Sequence, residues 1–183
     1  ILTGKNVLLD CMKINDRYAM YIVAAGAFTS ATYTTPQAQK KLVGRVAYGI
    51  EGIRNNLKFD VFNVKIEGKD AVAESESVLV LFMNGKYVAG MGLNRHASMT
   101  DGKIEVAIVR QRPRPNFLHR VGAYFVLAKL FLLGYRVKER RIEKLEGSHF
   151  EVTAGEGVVW NFDGERGLSG KVVVDVLPGK VNM

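Results

Sequence analysis

At 183 residues the chain is long enough for one domain with a real core, and 48% hydrophobic against 24% charged residues excludes a disordered chain. A formal net charge of +8 favours an anionic partner, whether a nucleotide, a nucleic acid or a negatively charged membrane surface. Cys11 is the only cysteine, which excludes an internal disulfide and a thiolate metal cluster and points to a reducing cytoplasm. Ile1-Leu2-Thr3-Gly4 has neither the basic start nor the apolar core of a signal peptide. The first residues read like the middle of a protein, so a fragment is expected.

Val7 to Ile14 alternates around Asp10 and Lys13, Asn15-Asp16 turns the chain, and Tyr18 to Ala25 returns as a second strand closed by Gly26. Thr34-Thr35-Pro36-Gln37 has the form of a helix start, with a threonine cap, an early proline and glutamine three residues on. Leu42, Val43, Val46, Ala47, Ile50 and Ile53 continue it at helical spacing until Asn55-Asn56. Lys40, Lys41, Arg45 and Arg54 on this helix suit a solvated face or a patch facing phosphate or membrane.

From Lys58 the pattern becomes β. Phe62, Val64 and Ile66 alternate, Glu67 to Asp70 turns, and Val78 to Met83 is a continuous apolar run, as expected of a strand buried on both faces. Asn84-Gly85 breaks it, Gly90 and Gly92 mark a bend, and Ile104 to Val109 is the next strand. Arg112-Pro113-Arg114-Pro115 leads into a second helix, Asn116 to Leu133, ended by Gly134. Its apolar stretch is short of the ~20 residues of a membrane span and is interrupted by His119, Arg120 and Lys129. Docking on the sheet, or insertion of its apolar face at a bilayer surface, are the two uses open to it. The tail returns to strands at Arg140–Leu145, His149–Thr153, Val158–Phe162 and Lys171–Val176. Short strands with only two helices predict a mainly β fold, a β-sandwich or distorted barrel.

The chemistry concentrates on carboxylates. Thr100-Asp101-Gly102 and Asp163-Gly164-Glu165 are acidic turns at strand ends, which hold a carboxylate outward on a rigid scaffold. Glu165 directly after the glycine suits a base or a metal ligand. Gly90-Met91-Gly92 lacks a third glycine and a strand-to-helix setting, so no phosphate-binding loop is present. His96, His119 and His149 have no ligand spacing, and Ser30 and Ser98 lie in no nucleophile elbow.

Ala24-Ala25-Gly26-Ala27-Phe28, Lys41-Leu42-Val43-Gly44-Arg45-Val46-Ala47-Tyr48, Asn84-Gly85 with Gly90, Thr100-Asp101-Gly102 and Asp163-Gly164-Glu165 follow in this order. The series resembles the C-terminal half of bacterial diacylglycerol-kinase-like lipid kinases, which share their fold with NAD kinases and sphingosine kinases. The resemblance covers nearly the whole chain. It implies that residues 1–183 form a distorted β-sandwich with two helices, the lid and substrate domain of a two-domain enzyme. The α/β domain that binds ATP in that family is absent from this chain, so the fragment alone is expected to be inactive. The resemblance further implies transfer of the ATP γ-phosphate to a lipid hydroxyl, with Glu165 as base and Asp163 beside it or in its place. It implies a structural Mg²⁺ held by the Asp101 carboxylate with the backbone carbonyls of Ser98 and Lys103. Thr100 stands where the family often has a further aspartate.

A cytoplasmic protein associating peripherally with an anionic membrane is the expected setting, with a lipid substrate and a possible homodimer through exposed sheet edges. A nucleic-acid-binding β-module is the alternative suggested by charge. Basic residues dispersed along the chain and the lack of a series of stacking aromatics count against it, so no nucleic-acid partner is expected. A kinase of a soluble acceptor such as NAD is the other alternative.

Overall fold

A computed structural model describes residues 6–27, 59–88 and 90–183. The helix expected between Thr34 and Asn56 lies outside the described residues. Among the described residues there are eleven strands and one helix: β1 (Leu8–Ile14), β2 (Arg17–Ala19), β3 (Ile22–Gly26), β4 (Phe62–Gly68), β5 (Val72–Met83), β6 (Ile104–Arg110), α1 (Phe117–Leu133), β7 (Ile142–Gly147), β8 (His149–Ala154), β9 (Val159–Phe162), β10 (Glu165–Ser169) and β11 (Val172–Asn182). The expected β-rich, sandwich-like fold is what forms.

The sheet is antiparallel and curled, in the order β10-β9-β3-β5-β4-β8-β11-β1-β2, with β6 on β5 and β7 on β6. β5 organises it. Its first half pairs with β4, Phe62 facing Ser77 and Glu67 facing Val72. Its second half pairs with β3, Ile22 facing Met83 and Gly26 facing Leu79. Along its other edge runs β6. This explains the continuous apolar run in β5: from Leu79 on, successive side chains point to opposite faces, both of them covered, and a break in register against β6 between Ser77 and Leu79 puts Val78 on the same side as Leu79. Val80 and Phe82 enter the core enclosed by the curl, beside Ile66, Phe150 and Trp160. Val78, Leu79, Leu81 and Met83 enter a second core, where Ala123, Val126, Leu127 and Leu130 of α1 cover the outer face. Phe82 stands edge-on to both Phe150 and Trp160, at centroid distances of 5.8 and 6.0 Å. Trp160 Nε1–H donates to the Gly170 carbonyl at 3.0 Å. The buried indole is thus paired, as such a group must be to avoid a desolvation penalty.

α1 begins where Asn116 Oδ1 accepts the His119 N–H at 2.9 Å and ends where the Gly134 N–H donates to the Leu130 carbonyl at 2.9 Å. Gly134 has a φ of 88°. A Cβ there would lie 2.9 Å from the Leu93 carbonyl oxygen, so only glycine closes the helix against that loop.

Two expectations change in detail. The single strand Tyr18–Ala25 is two strands: β2 pairs with β1, whereas β3 crosses to β5 and β9. The break at Met20-Tyr21 comes from a side chain far along the chain, described next. The segment after the second acidic turn is itself a strand, β10, which pairs back on β9.

Candidate active site

β9 and β10 are joined by Asp163-Gly164, with Phe162 opposite Glu165. Asp163 has φ 50° and Gly164 φ 98°. Positive φ at both central residues defines the type I′ hairpin turn, which an Asp-Gly pair favours. The turn is tied down twice: the Gly164 N–H donates to Asn161 Oδ1 at 2.9 Å, and the Asp163 N–H to the Ile22 carbonyl at 3.0 Å. The Asp163 carboxylate lies over the β2–β3 break. Its Oδ2 accepts the Met20 N–H at 2.5 Å, and its Oδ1 accepts the N–H groups of Tyr21 at 2.9 Å and Ile22 at 2.8 Å. A carboxylate offers about four lone-pair sites, and three here serve the backbone. Glu165 is exposed, and its carboxylate has no hydrogen bond or ion pair with a described residue. The two carboxylates of one turn therefore divide the work: Asp163 fixes the scaffold and Glu165 is presented.

Beside the turn runs an open cavity of about 590 Å³ bordered by Cys11, Tyr18, Met20, Asp163, Leu177 and Lys180. Burial, reinforced by the Asp10 charge and opposed by Lys180, pushes the Cys11 thiol up from its ordinary value. It stays a protonated wall residue at neutral pH, not a thiolate nucleophile.

The second acidic turn follows the same economy. Asp101 Oδ1 accepts the Lys103 N–H at 3.1 Å, and Ser98 Oγ accepts the Thr100 N–H at 3.3 Å. The Lys103 side chain points away, to Glu146 at 3.0 Å. The carbonyls of Ser98 and Lys103 accept no hydrogen bond from a described residue. Asp10, buried on β1, anchors the loop: its Oδ2 accepts the Gly102 N–H at 2.7 Å, its Oδ1 accepts the Gly179 N–H at 2.9 Å, and its own N–H donates to the Met99 carbonyl at 2.7 Å.

Asn84 links the two turns. Its Nδ2 donates to the Asp10 carbonyl and to the Met20 carbonyl, each at 2.8 Å, and its N–H donates to the Tyr21 carbonyl at 3.0 Å. The path runs from Gly102 through Asp10, Asn84 and Met20 to Asp163. Ser98, Asp101 and Lys103 thus share one loop, Asp163 and Glu165 share one hairpin, and buried polar side chains connect the two sets. Asp10 and Asn84 were not singled out as site residues in the sequence. Their only signal there is a polar residue in or ending an apolar strand. Among the described residues no group of three His, Cys, Asp or Glu converges on a metal position. His149 instead pairs with Asp175, Nδ1 to Oδ1, at 2.6 Å.

Fold and site together define a β-sandwich domain that carries an acidic hairpin turn at one sheet end. The chain belongs to the family of the YegS C-terminal NAD kinase beta sandwich-like domain, whose profile matches residues 21–183. Among curated relatives, a diacylglycerol kinase from Staphylococcus saprophyticus is 28% identical over 168 residues, 91% of this chain and 53% of the relative. A diacylglycerol kinase from Bacillus subtilis is 24% identical with the same coverage. The chain spans about half the length of the curated relatives it matches. A crystal structure of a diacylglycerol kinase from Bacillus anthracis str. Sterne shares the fold, with a TM-score of 0.64 at 17% identity, covering 98% of this chain and 54% of that one. No described helix is long and apolar enough to cross a membrane.

Proposed function

We propose that this chain is the substrate domain of an ATP-dependent lipid kinase, one that transfers the γ-phosphate to a lipid hydroxyl of the diacylglycerol type. The observation that carries the reading is the division of labour at the acidic hairpin. Asp163 is committed to three backbone N–H groups, which leaves Glu165 free to accept a proton. Phosphoryl transfer asks the protein mainly for positioning and charge neutralisation. A carboxylate on a rigid hairpin, placed to take the hydroxyl proton as the phosphate is attacked, meets the first need. Membership in the family and relatives named as diacylglycerol kinases support the lipid acceptor. ATP would be held mainly by the other half of the whole enzyme.

The loop of Asp101 fits a structural Mg²⁺. The Asp101 carboxylate keeps Oδ2 outside the loop's own bonding, and the Ser98 and Lys103 carbonyls have no described donor. Such hard oxygens, completed by water, are what this ion takes. Bound there, the ion would stiffen a loop that Asp10 and Asn84 connect to the hairpin. With one carboxylate in the set, its affinity would be modest.

The test is transfer of labelled γ-phosphate from ATP to diacylglycerol in mixed micelles with Mg²⁺, using the whole enzyme and its Glu165→Gln variant. Transfer by the parent and near-complete loss in the variant is the expected result. Equal transfer by both would remove Glu165 as base. Transfer only to a soluble acceptor such as NAD would overturn the lipid assignment.

A further inference from the structure

The positive charge is less dispersed than it reads along the sequence. Residues 110–141 hold nine Lys and Arg against one Glu, a surplus of eight that equals the surplus of the entire chain. The remainder of the protein is therefore electrically balanced, and one segment accounts for the basicity. In space this segment is the end of β6, the helix α1 and the loop back to β7.

Two features meet there. The first is an open cavity of about 600 Å³ lined by Arg110, Arg112, Arg140 and Arg141, with His119 and Glu139 at its wall. Buried Gln111 frames it: Oε1 accepts the Arg112 N–H at 3.0 Å and Arg141 Nη2 at 3.4 Å, while Nε2 donates to the His119 carbonyl at 2.9 Å. Arg110 is spent on structure, donating to the Arg140 carbonyl at 2.5 Å and lying 3.8 Å from Glu143. Glu139 is neutralised by Lys129 at 2.8 Å. Arg112, Arg140 and Arg141 form no ion pair within 4 Å among the described residues, though Arg141 lies near enough to help hold the Glu139 carboxyl below its ordinary value.

The second feature is the helix itself. Its inner face buries Ala123, Val126, Leu127 and Leu130 against the sheet. Yet Phe117, Leu118, Phe125 and Leu132 on the opposite side are 67% to 75% exposed. At ~100° per residue, Phe117, Leu118, Phe125 and Leu132 fall within one stripe. A helix apolar on both faces is ordinarily covered on both.

We propose that this stripe and the arginine cavity form a docking surface for an anionic bilayer, with the stripe in the acyl boundary and a lipid phosphate in the cavity. Guanidinium groups recognise phosphate oxygens in pairs, and a basic rim around an exposed apolar helix face is what an interfacial helix requires. A nucleic acid would use the charge but leave the aromatic and leucine stripe in water. The surface deepens the lipid-kinase reading by giving the domain a way to reach its acceptor, but its binding needs neither ATP nor turnover.

The test is co-sedimentation of the chain with vesicles of phosphatidylcholine alone or mixed equally with phosphatidylglycerol. The proposal expects retention on the anionic vesicles, weakened roughly 30-fold by the Arg112→Gln/Arg140→Gln pair and weakened also by Phe125→Ser. All of these positions are exposed, so melting temperatures should match the parent. Vesicle binding by the parent protein together with no phosphate transfer to diacylglycerol by the whole enzyme would count against the kinase reading alone. Anionic-vesicle binding unaffected by either variant would overturn the docking surface. So would inorganic phosphate saturating the cavity without vesicle retention, or tighter binding to an oligonucleotide that ignores Phe125→Ser.

Discussion

Replacing Asp163 and Glu165 in parallel separates a scaffold carboxylate from a presented one. Asp163→Asn keeps a residue that tolerates the positive φ of 50° but removes the charge and one acceptor oxygen. Three backbone N–H groups, of Met20, Tyr21 and Ile22, then share a weaker acceptor. Hydrogen bonds to a charged group contribute about 1.5–3 kcal/mol each when dry. These are exposed, so water recovers much of the loss, and about 1–3 kcal/mol in total is the reasonable cost. For a chain of this length that lowers Tm by roughly 2–12 °C at ~2–4 °C per kcal/mol. Asp163→Ala should cost about 1–2 kcal/mol more, because a residue without a local acceptor resists the left-handed conformation. Glu165→Gln, which breaks no described contact, should stay within about 0.5 kcal/mol of the parent. Phosphate transfer in the whole enzyme should fall about 10²–10⁴-fold in Glu165→Gln at every temperature, the range for loss of a general base. In Asp163→Asn it should recover as the assay is cooled away from the lowered Tm. Calorimetry alongside the transfer assay decides the matter. An unchanged Tm for Asp163→Asn, or full transfer by Glu165→Gln, would refute the division of roles.

Asn84→Ala removes the donor for the buried Asp10 carbonyl and the part-buried Met20 carbonyl, so a loss of about 2–4 kcal/mol is expected, read as a lower urea midpoint at unchanged m. For the proposed Mg²⁺ loop, a tenfold excess of ion over its Kd would add about 1.4 kcal/mol, or roughly 3–6 °C in Tm. That increment should vanish in Asp101→Asn, and a rise that survives the substitution would place the ion elsewhere. Glu105 gives a pH signature. Half-burial raises its carboxyl above the ordinary value, against the opposing hydrogen bond from Asn94 at 2.7 Å. The unfolded chain therefore releases this proton first, so Glu105 costs the fold stability as pH rises through the interval and costs nothing below it. Glu105→Gln, which keeps an acceptor for Asn94, should match the parent in acid and gain over it towards neutrality. Parallel urea midpoints across that range would show the slope to be absent.

Strand content was legible because its signals are local. The apolar run of Val78–Met83 announces burial on two faces, and Asn116 with Gly134 brackets α1 by ordinary capping chemistry. The break between β2 and β3 was not legible, because its cause sits at Asp163, more than a hundred residues along the chain. No pattern within Tyr18–Ala25 distinguishes a strand from two strands bent over a distant carboxylate. Asp10 was hidden for a similar reason. A buried aspartate in a strand looks like a blemish until Gly102 and Gly179 are seen to converge on it.

The acidic turns were legible as places but not as roles. Asp-Gly at a hairpin is favoured by backbone geometry alone, so its aspartate needs no catalytic explanation. Only the three N–H groups on its oxygens reveal that Asp163 is consumed in closing the bend. Glu165 is under no such requirement: it opens β10, opposite Phe162, on a strand whose register the turn already fixes. A carboxylate that the fold does not use, on a hairpin the fold holds rigid, is the one for which we propose the chemistry. α1 poses the same question on a larger scale. Its inner leucines are consumed by the core, its outer ones are not, and the segment that contains the helix carries a surplus of positive charge equal to that of the whole chain. In both places, the proposed function rests on what the folding of this sequence leaves over.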